Sequence, residues 1–219
     1  MELFTARVCP YAHRTRLALL EKGLGFEHIE VDFKNKTERF LSVSPYGKVP
    51  ALFHDGQTIY ESAIINEYLD EVFPDPPLMP EGPVLRAKAR IWNHYCNEYF
   101  TPDLYAVIRN RDRAKHGELA GQVAERLRFV EREAFGVLSG DGPYWFGDRI
   151  SLTDLAWYPY FERLPAWTHW RDISIPEDCP RLIAWAEAMA GRSSVQSVAN
   201  EADYYIERFR DRAGERMAA

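Results

Sequence analysis

The chain has 219 residues, 46% of them hydrophobic and 27% charged, with a formal net charge of −6. That length can bury one large core or two small ones, and the mild acidity excludes a general nucleic-acid binder and a polybasic membrane surface. No apolar run is long enough to span a bilayer, and the N-terminus enters a strand-like segment without a secretory leader pattern. Three widely spaced cysteines, Cys9, Cys96 and Cys179, argue against a disulfide framework and fit a reducing cytoplasm.

In chain order, residues 1–4 read as a short strand and residues 10–22 as a helix, with Leu17, Leu20 and Leu24 at helical spacing and Gly23 as its stop. Residues 26–31 alternate and read as a second strand, and residues 37–43 as a short helix. Val49 to Phe53 and Thr58 to Tyr60 flank the turn signal His54-Asp55-Gly56-Gln57 and predict a hairpin. Ser62 then caps a helix whose inner face is Ile64, Ile65, Tyr68, Leu69 and Val72. This order predicts a small α/β unit with a mixed four-stranded sheet over residues 1–74. The proline-dense residues 75–83 read as a linker. From Val84 to the end, residues 84–219 carry a helical period and predict an all-α domain. Leu85, Ala89, Trp92, Cys96 and Tyr99 form one stripe, and Leu119, Val123, Leu127, Val130, Ala134 and Val137 another. Pro102 should kink or break the first of these helices. Ser151-Leu152-Thr153-Asp154 reads as a capping-box start for a further helix, and two short helices come after it at Arg181 to Ala190 and Glu201 to Arg210.

Three short stretches can carry chemistry. Cys9 stands directly before Pro10, a residue favoured at the first helical position, so the thiol should lie at a helix N-terminus that favours a thiolate. The competing reading is a buried cysteine acting as a small hydrophobe; the strand before it and the Cys-Pro helix start favour a reactive thiol. Ala12 stands where a dithiol oxidoreductase needs its resolving cysteine, so an external thiol must complete any turnover, and glutathione is the smallest abundant one. Val49-Pro50 invites a cis bond and an exposed strand edge able to pair with an extended peptide; an edge proline without a partner is the alternative. Ser62 at an N-cap, after Glu61, leaves helix N–H groups for a carboxylate, or is an ordinary cap. Lys36 and Lys48 could face a second carboxylate, or be solvated surface lysines. His13, His94 and Cys96 fit no zinc spacing, so no metal is expected.

Together these stretches resemble the cytosolic glutathione transferases. Within them the chain is most similar to the omega class and related bacterial cysteine-type enzymes. The resemblance rests on Cys9-Pro10-Tyr11 with Arg14-Thr15-Arg16-Leu17, Lys34-Asn35-Lys36, Pro45-Tyr46-Gly47-Lys48-Val49-Pro50, Tyr60-Glu61-Ser62-Ala63-Ile64, Ser151-Leu152-Thr153-Asp154 and Pro159-Tyr160-Phe161-Glu162-Arg163-Leu164. It departs from the omega pattern in starting its first strand at Leu3 and in carrying Lys48 where an apolar residue is familiar. The resemblance implies a thioredoxin-like N-terminal domain, a helical C-terminal domain, a homodimer and glutathione as co-substrate. It implies Cys9 as the catalytic thiol, Val49 before a cis Pro50 pairing with the cysteinyl unit, and Glu61 and Ser62 holding the γ-glutamyl end. Lys36 would face the glycine carboxylate, and Tyr11 and Phe33 would line the site; Lys48, although outside the omega pattern, is counted with the glutathione-binding residues as a second cation. Tyr160, Arg163 and Tyr204 are the implied acceptor-pocket residues, in a cleft walled by the helices starting near Val84 and Leu152 and by the C-terminal segment. The expected reaction is glutathione-dependent thiol transfer or reduction of a disulfide or small hydrophobic acceptor. The alternatives are conjugation, dehalogenation or ether cleavage of an aromatic electrophile, and a non-catalytic binding module.

Overall fold

The computed structural model describes residues 1–214. The sheet has four strands: β1 (Glu2–Thr5), β2 (Glu27–Glu30), β3 (Ala51–His54) and β4 (Gln57–Tyr60), in the order β2-β1-β3-β4. β1 and β2 are parallel, joined by α1 (Pro10–Glu21), because parallel neighbours need a crossover. β3 runs antiparallel to both β1 and β4, with Leu3 opposite Leu52, and the β3–β4 turn places Asp55 and Gly56 at positive φ. Strand alternation splits the core. Leu3 and Leu52 pack on one face with Leu17 of α1 and with Ile65 and Leu69 of α3 (Ser62–Val72). Phe4 and Ala51 pack on the other with Phe40 and Val43 of α2 (Glu38–Val43).

The second half is helical: α4 (Pro83–Tyr95), α5 (Thr101–Arg109), α6 (His116–Val130), the short α7 (Gly136–Leu138), α8 (Leu152–Glu162), α9 (Leu164–Arg171), α10 (Pro180–Ala190), α11 (Ser193–Val198) and α12 (Ala202–Ala213). The regular helix does break before Pro102: a π turn at Cys96–Phe100 separates α4 from α5, and Pro102 lies in the first turn of α5. A second π turn, Glu131–Phe135, comes directly after α6. Each i→i+5 turn adds a residue and rotates the downstream helix by about 100°. Both expected stripes therefore lose their last member: Trp92 and Cys96 are buried while Tyr99 is exposed, and Val130 and Ala134 are buried while Val137 is exposed.

α8 is the central helix. Its residues Leu152 to Phe161 are all buried, which suits a segment that is apolar on every side. Its start is a complete capping box. Asp154 accepts from Ser151 N (2.7 Å) and Ser151 Oγ (2.7 Å), and also from Trp145 N (3.1 Å) and Trp185 Nε1 (2.8 Å). Burial pushes this carboxyl up to about 6 against the pull of those four donors. Trp145 and Trp157 pack tilted with ring centroids 5.2 Å apart, and Phe135 and Trp92 close the same aromatic cluster.

Candidate functional site

Cys9 occupies the N-cap of α1 in extended conformation (φ −79°, ψ 120°). Its N–H donates to Ala6 O (2.9 Å) and its carbonyl accepts from His13 N (3.0 Å). Pro10 brings no N–H of its own, so the unpaired donors of the first turn, those of Tyr11 and Ala12, lie beside the cysteine with the positive end of the helix. The thiol points across to the Val49 carbonyl at 3.7 Å. Two buried guanidinium groups fix the preceding loop: Arg16 donates to Thr5 Oγ1 (2.8 Å) and Ala6 O (3.2 Å), and Arg163 to Val8 O (3.1 Å). All three cysteines are free, but Cys96 and Cys179 are buried, and burial pushes each of their thiols up to about 11. Cys9 is the one that reaches solvent.

On one side of Cys9 lies a cavity of about 240 Å³ lined by Tyr11, Ser44, Tyr46, Lys48, Val49, Pro50, Tyr60, Glu61 and Ser62. The Val49–Pro50 bond is cis. Ser44 Oγ donates to Lys48 O (2.7 Å) and accepts from Lys48 N (3.0 Å), closing the loop that presents this edge. Gly47 sits in that loop at φ +59°, where an added Cβ would stand 3.0 Å from Lys36 Nζ. Glu61, not Ser62, takes the N-cap of α3: its carbonyl accepts from Ile65 N (2.9 Å) and its backbone adopts φ +69°, ψ 112°. Ser62 is the first helical residue, buried against the cavity. Glu61 makes no side-chain cap bond, so the first N–H groups of α3 are unclaimed by it. Lys36 lines neither this cavity nor the next; its ammonium lies 5.9 Å over the exposed Phe33 ring.

On the other side opens a cleft of about 490 Å³ lined by Val8, Cys9, Pro10, Tyr11, Phe33, Asn97, Thr101, Pro102, Tyr105, Arg109 and Arg212. Tyr11 borders both spaces. Burial raises its hydroxyl above the ordinary range, against Tyr160 and Arg14, whose guanidinium is 5.0 Å from the Tyr11 ring. Three expected wall residues are elsewhere. Tyr160 and Arg163 are fully buried because α8 is enclosed on all sides, and Arg163 spends its guanidinium on Val8 O, Pro159 O and the Tyr205 ring. Tyr204 lies 4.6 Å beneath Arg7, outside the cleft. Of the expected walls, the C-terminal segment is present as α12 and the helix starting near Val84 contributes through its continuation in the first π turn and α5, while the helix starting near Leu152 lies behind them. A larger recess of about 650 Å³, between Tyr95, Glu118, Arg126 and Phe129, holds no nucleophile. Among the described residues no cluster of His, Cys, Asp and Glu could hold a metal ion.

Residues 8–72 match the family model "Glutathione S-transferase, N-terminal domain" and residues 118–188 match "Glutathione S-transferase, C-terminal domain". Glutathione S-transferase U19 of Arabidopsis thaliana is 36% identical over 190 residues, covering 84% of this chain and 83% of that protein. The crystal structure of a Tau class glutathione S-transferase from mango, Mangifera indica, superposes with a TM-score of 0.88 at 27% identity, over 94% of this chain and 96% of that one. Glutathione transferase Omega 3C from Trametes versicolor superposes with a TM-score of 0.83 at 28% identity, over 91% and 89%. With a cysteine-bearing thioredoxin-like domain joined to a helical domain and both halves matched, the chain belongs to the glutathione S-transferase family and is an enzyme of that family.

Proposed function

We propose that this glutathione transferase acts by thiol transfer through a Cys9–glutathione mixed disulfide, in the manner of the cysteine-type, omega-like enzymes. The observation that carries this reading is the part-exposed Cys9 at the start of α1, its thiol against the Val49 carbonyl and the acceptor cleft beside it. Glutathione would lie in the smaller cavity, its cysteinyl amide on the Val49 backbone and its γ-glutamyl carboxylate at the α3 N-terminus beside Ser62. Its ammonium would meet Glu61 and its glycine carboxylate Lys48, with Lys36 at the rim. In the first step the Cys9 thiolate attacks the glutathione sulfur of a glutathionylated acceptor, forming the Cys9–glutathione disulfide and expelling the acceptor thiolate. In the second, a glutathione thiolate attacks that disulfide, giving oxidised glutathione and the Cys9 thiolate. Cys9→Ala should lose turnover of the mixed disulfide of glutathione and 2-mercaptoethanol to background, and intact mass should show the glutathione adduct on the parent alone. Undiminished turnover in the variant refutes the reading.

The Tau class names among its relatives favour a second reading, conjugation of glutathione to an aromatic electrophile, for which the apolar cleft wall of Phe33, Pro102 and Tyr105 is suited. Cys9→Ser retaining or gaining activity toward a chloronitrobenzene selects it. We further propose a homodimer, supported by the exposed apolar Ile64 on α3 and by Val84 and Ile91 on α4. No described helix is long and apolar enough to cross a membrane. We propose a cytoplasmic location, which the three free thiols support.

A further inference from the structure

The cleft beside Cys9 contains two guanidinium groups and no carboxylate. Arg109 ends α5 and Arg212 lies in the last turn of α12, so the two come together only because those helices pack side by side. Neither forms an ion pair with a described residue. Each is seated on an aromatic face instead: Arg109 lies 5.2 Å from the Tyr105 centroid, and Arg212 lies 6.0 Å from the same ring and 5.1 Å from that of Phe209. Tyr105 is itself held edge-on by the fully buried Trp167 at 5.3 Å, so the platform is fixed. The inner arginines of the molecule are differently committed: Arg14, Arg16 and Arg163 donate to backbone carbonyls, and Arg192 to Glu21.

Neither guanidinium group donates a hydrogen bond to a described residue, so the N–H donors of both remain available, and planar donor pairs match a carboxylate. Two like charges on one cleft wall with no carboxylate among its lining residues favour an anion in that space. The rest of the wall adds donors. Asn97 accepts on its Oδ1 from Arg14 Nη1 (3.0 Å), which leaves its amide N–H groups. Positive rim, aromatic wall and a sulfur nucleophile therefore share one space of about 490 Å³.

We propose that Arg109 and Arg212 form a carboxylate subsite, so that the preferred acceptor is a ring-bearing molecule with an anionic group at the rim and its reacting atom toward Cys9. This rests on reading the cleft as the acceptor side, and its test is a binding measurement that requires no turnover. The full chain, with S-methylglutathione saturating the smaller cavity, is titrated calorimetrically with 4-nitrobenzoate and with its uncharged isostere 4-nitrobenzamide. The carboxylate should bind the parent at least about tenfold tighter than the amide, and the preference should shrink as salt rises from about 0.05 M to about 0.5 M. Arg109→Gln with Arg212→Gln should bring the carboxylate down to the affinity of the amide. The charge-conserving pair Arg109→Lys with Arg212→Lys should keep part of the preference, which traces the loss to charge and not to collapse of the Tyr105 platform. Equal affinity for the two probes in the parent, or an undiminished preference in the glutamine pair, overturns the proposal. Loss of the Cys9 mechanism would leave this binding preference in place, so the two readings fail separately.

Discussion

His13 lies one helical turn beyond Cys9 and is fully buried. Arg163 Nη1 stands 3.4 Å from its Nδ1, and Glu162 Oε2 lies 3.7 Å from its Nε2. Burial, reinforced by Arg163 and Arg16, holds this imidazole well below its ordinary 6.5, so it is neutral and forms no charged pair with Glu162. Those same guanidinium groups grip the Ala6 and Val8 carbonyls, so the pocket that keeps His13 neutral also fixes the loop before Cys9. The unfolded chain protonates His13 near 6.5 and the folded chain does not. Below that pH the unfolded state binds more protons, and stability present at higher pH is lost as the pH falls. Glu162, raised by burial, works in the opposite sense, since the folded state takes its proton first and stability declines as pH rises through its window. His13→Gln should therefore remove the part of the acid-side decline that begins near pH 6.5. Between pH 6.5 and 5 the parent should lose up to about 1.4 kcal/mol per pH unit more than the variant in guanidinium denaturation. Parallel stability curves would contradict this.

At the scale of elements, the segment between the two halves of the molecule, residues 73–82, has neither helix nor strand yet is tightly held. Lys22, at the end of α1, donates to Phe73 O (2.6 Å) and Pro76 O (2.9 Å) and pairs with Asp70 of α3 at 2.7 Å. Asp70 in turn accepts from Leu78 N (2.7 Å) and Met79 N (3.0 Å). One buried ion pair thus satisfies the backbone of a segment too rich in proline to bond itself. Asp70→Ala should cost about 3–5 kcal/mol, because it strands a buried ammonium and two N–H donors. Lys22→Met combined with Asp70→Leu should recover part of that loss. Denaturant midpoints measure both, and a loss below about 1 kcal/mol for Asp70→Ala would show that the strap is held by other contacts.

At the scale of the whole molecule, Ile64 of α3, expected on the inner face of that helix, faces solvent instead, as do Val84 and Ile91 of α4, and Arg90 bonds across to Glu67 (2.7 Å) so that the two helices share one outer surface. Apolar side chains exposed together in this way suit a second copy of the chain. Ile91→Asp should shift the protein from a two-chain to a one-chain species in sedimentation velocity while leaving its helical circular dichroism unchanged. A variant that sediments with the parent would argue for an interface elsewhere.

The features legible in the sequence were local. Pro10 after Cys9, Gly56 in the hairpin turn, Pro50 after Val49 and the Ser151–Asp154 box each specify backbone geometry within a few residues, and each lies where its own chemistry requires. The small mixed α/β sheet and the helical second half come from period and order alone, and the resemblance adds that the sheet is thioredoxin-like. The cleft beside Cys9 was legible only in part: Tyr11, Phe33 and the C-terminal segment could be named for it, but not the side chains of the second half that line it. Its walls, Asn97, Thr101, Tyr105, Arg109 and Arg212, come from segments a hundred residues apart, and the π turn before Pro102 resets the phase on which a helical stripe depends. Tyr160 and Arg163 carry pocket-like side chains, yet the apolar surround of α8 draws both inward, where an arginine persists by bonding backbone carbonyls. The sequence by itself determined that a cysteine stands at the start of α1 and the fold that presents it, because those depend on short-range backbone constraints. Only the tertiary structure decided which groups face that cysteine, because helix phase and packing are settled by burial over the whole chain.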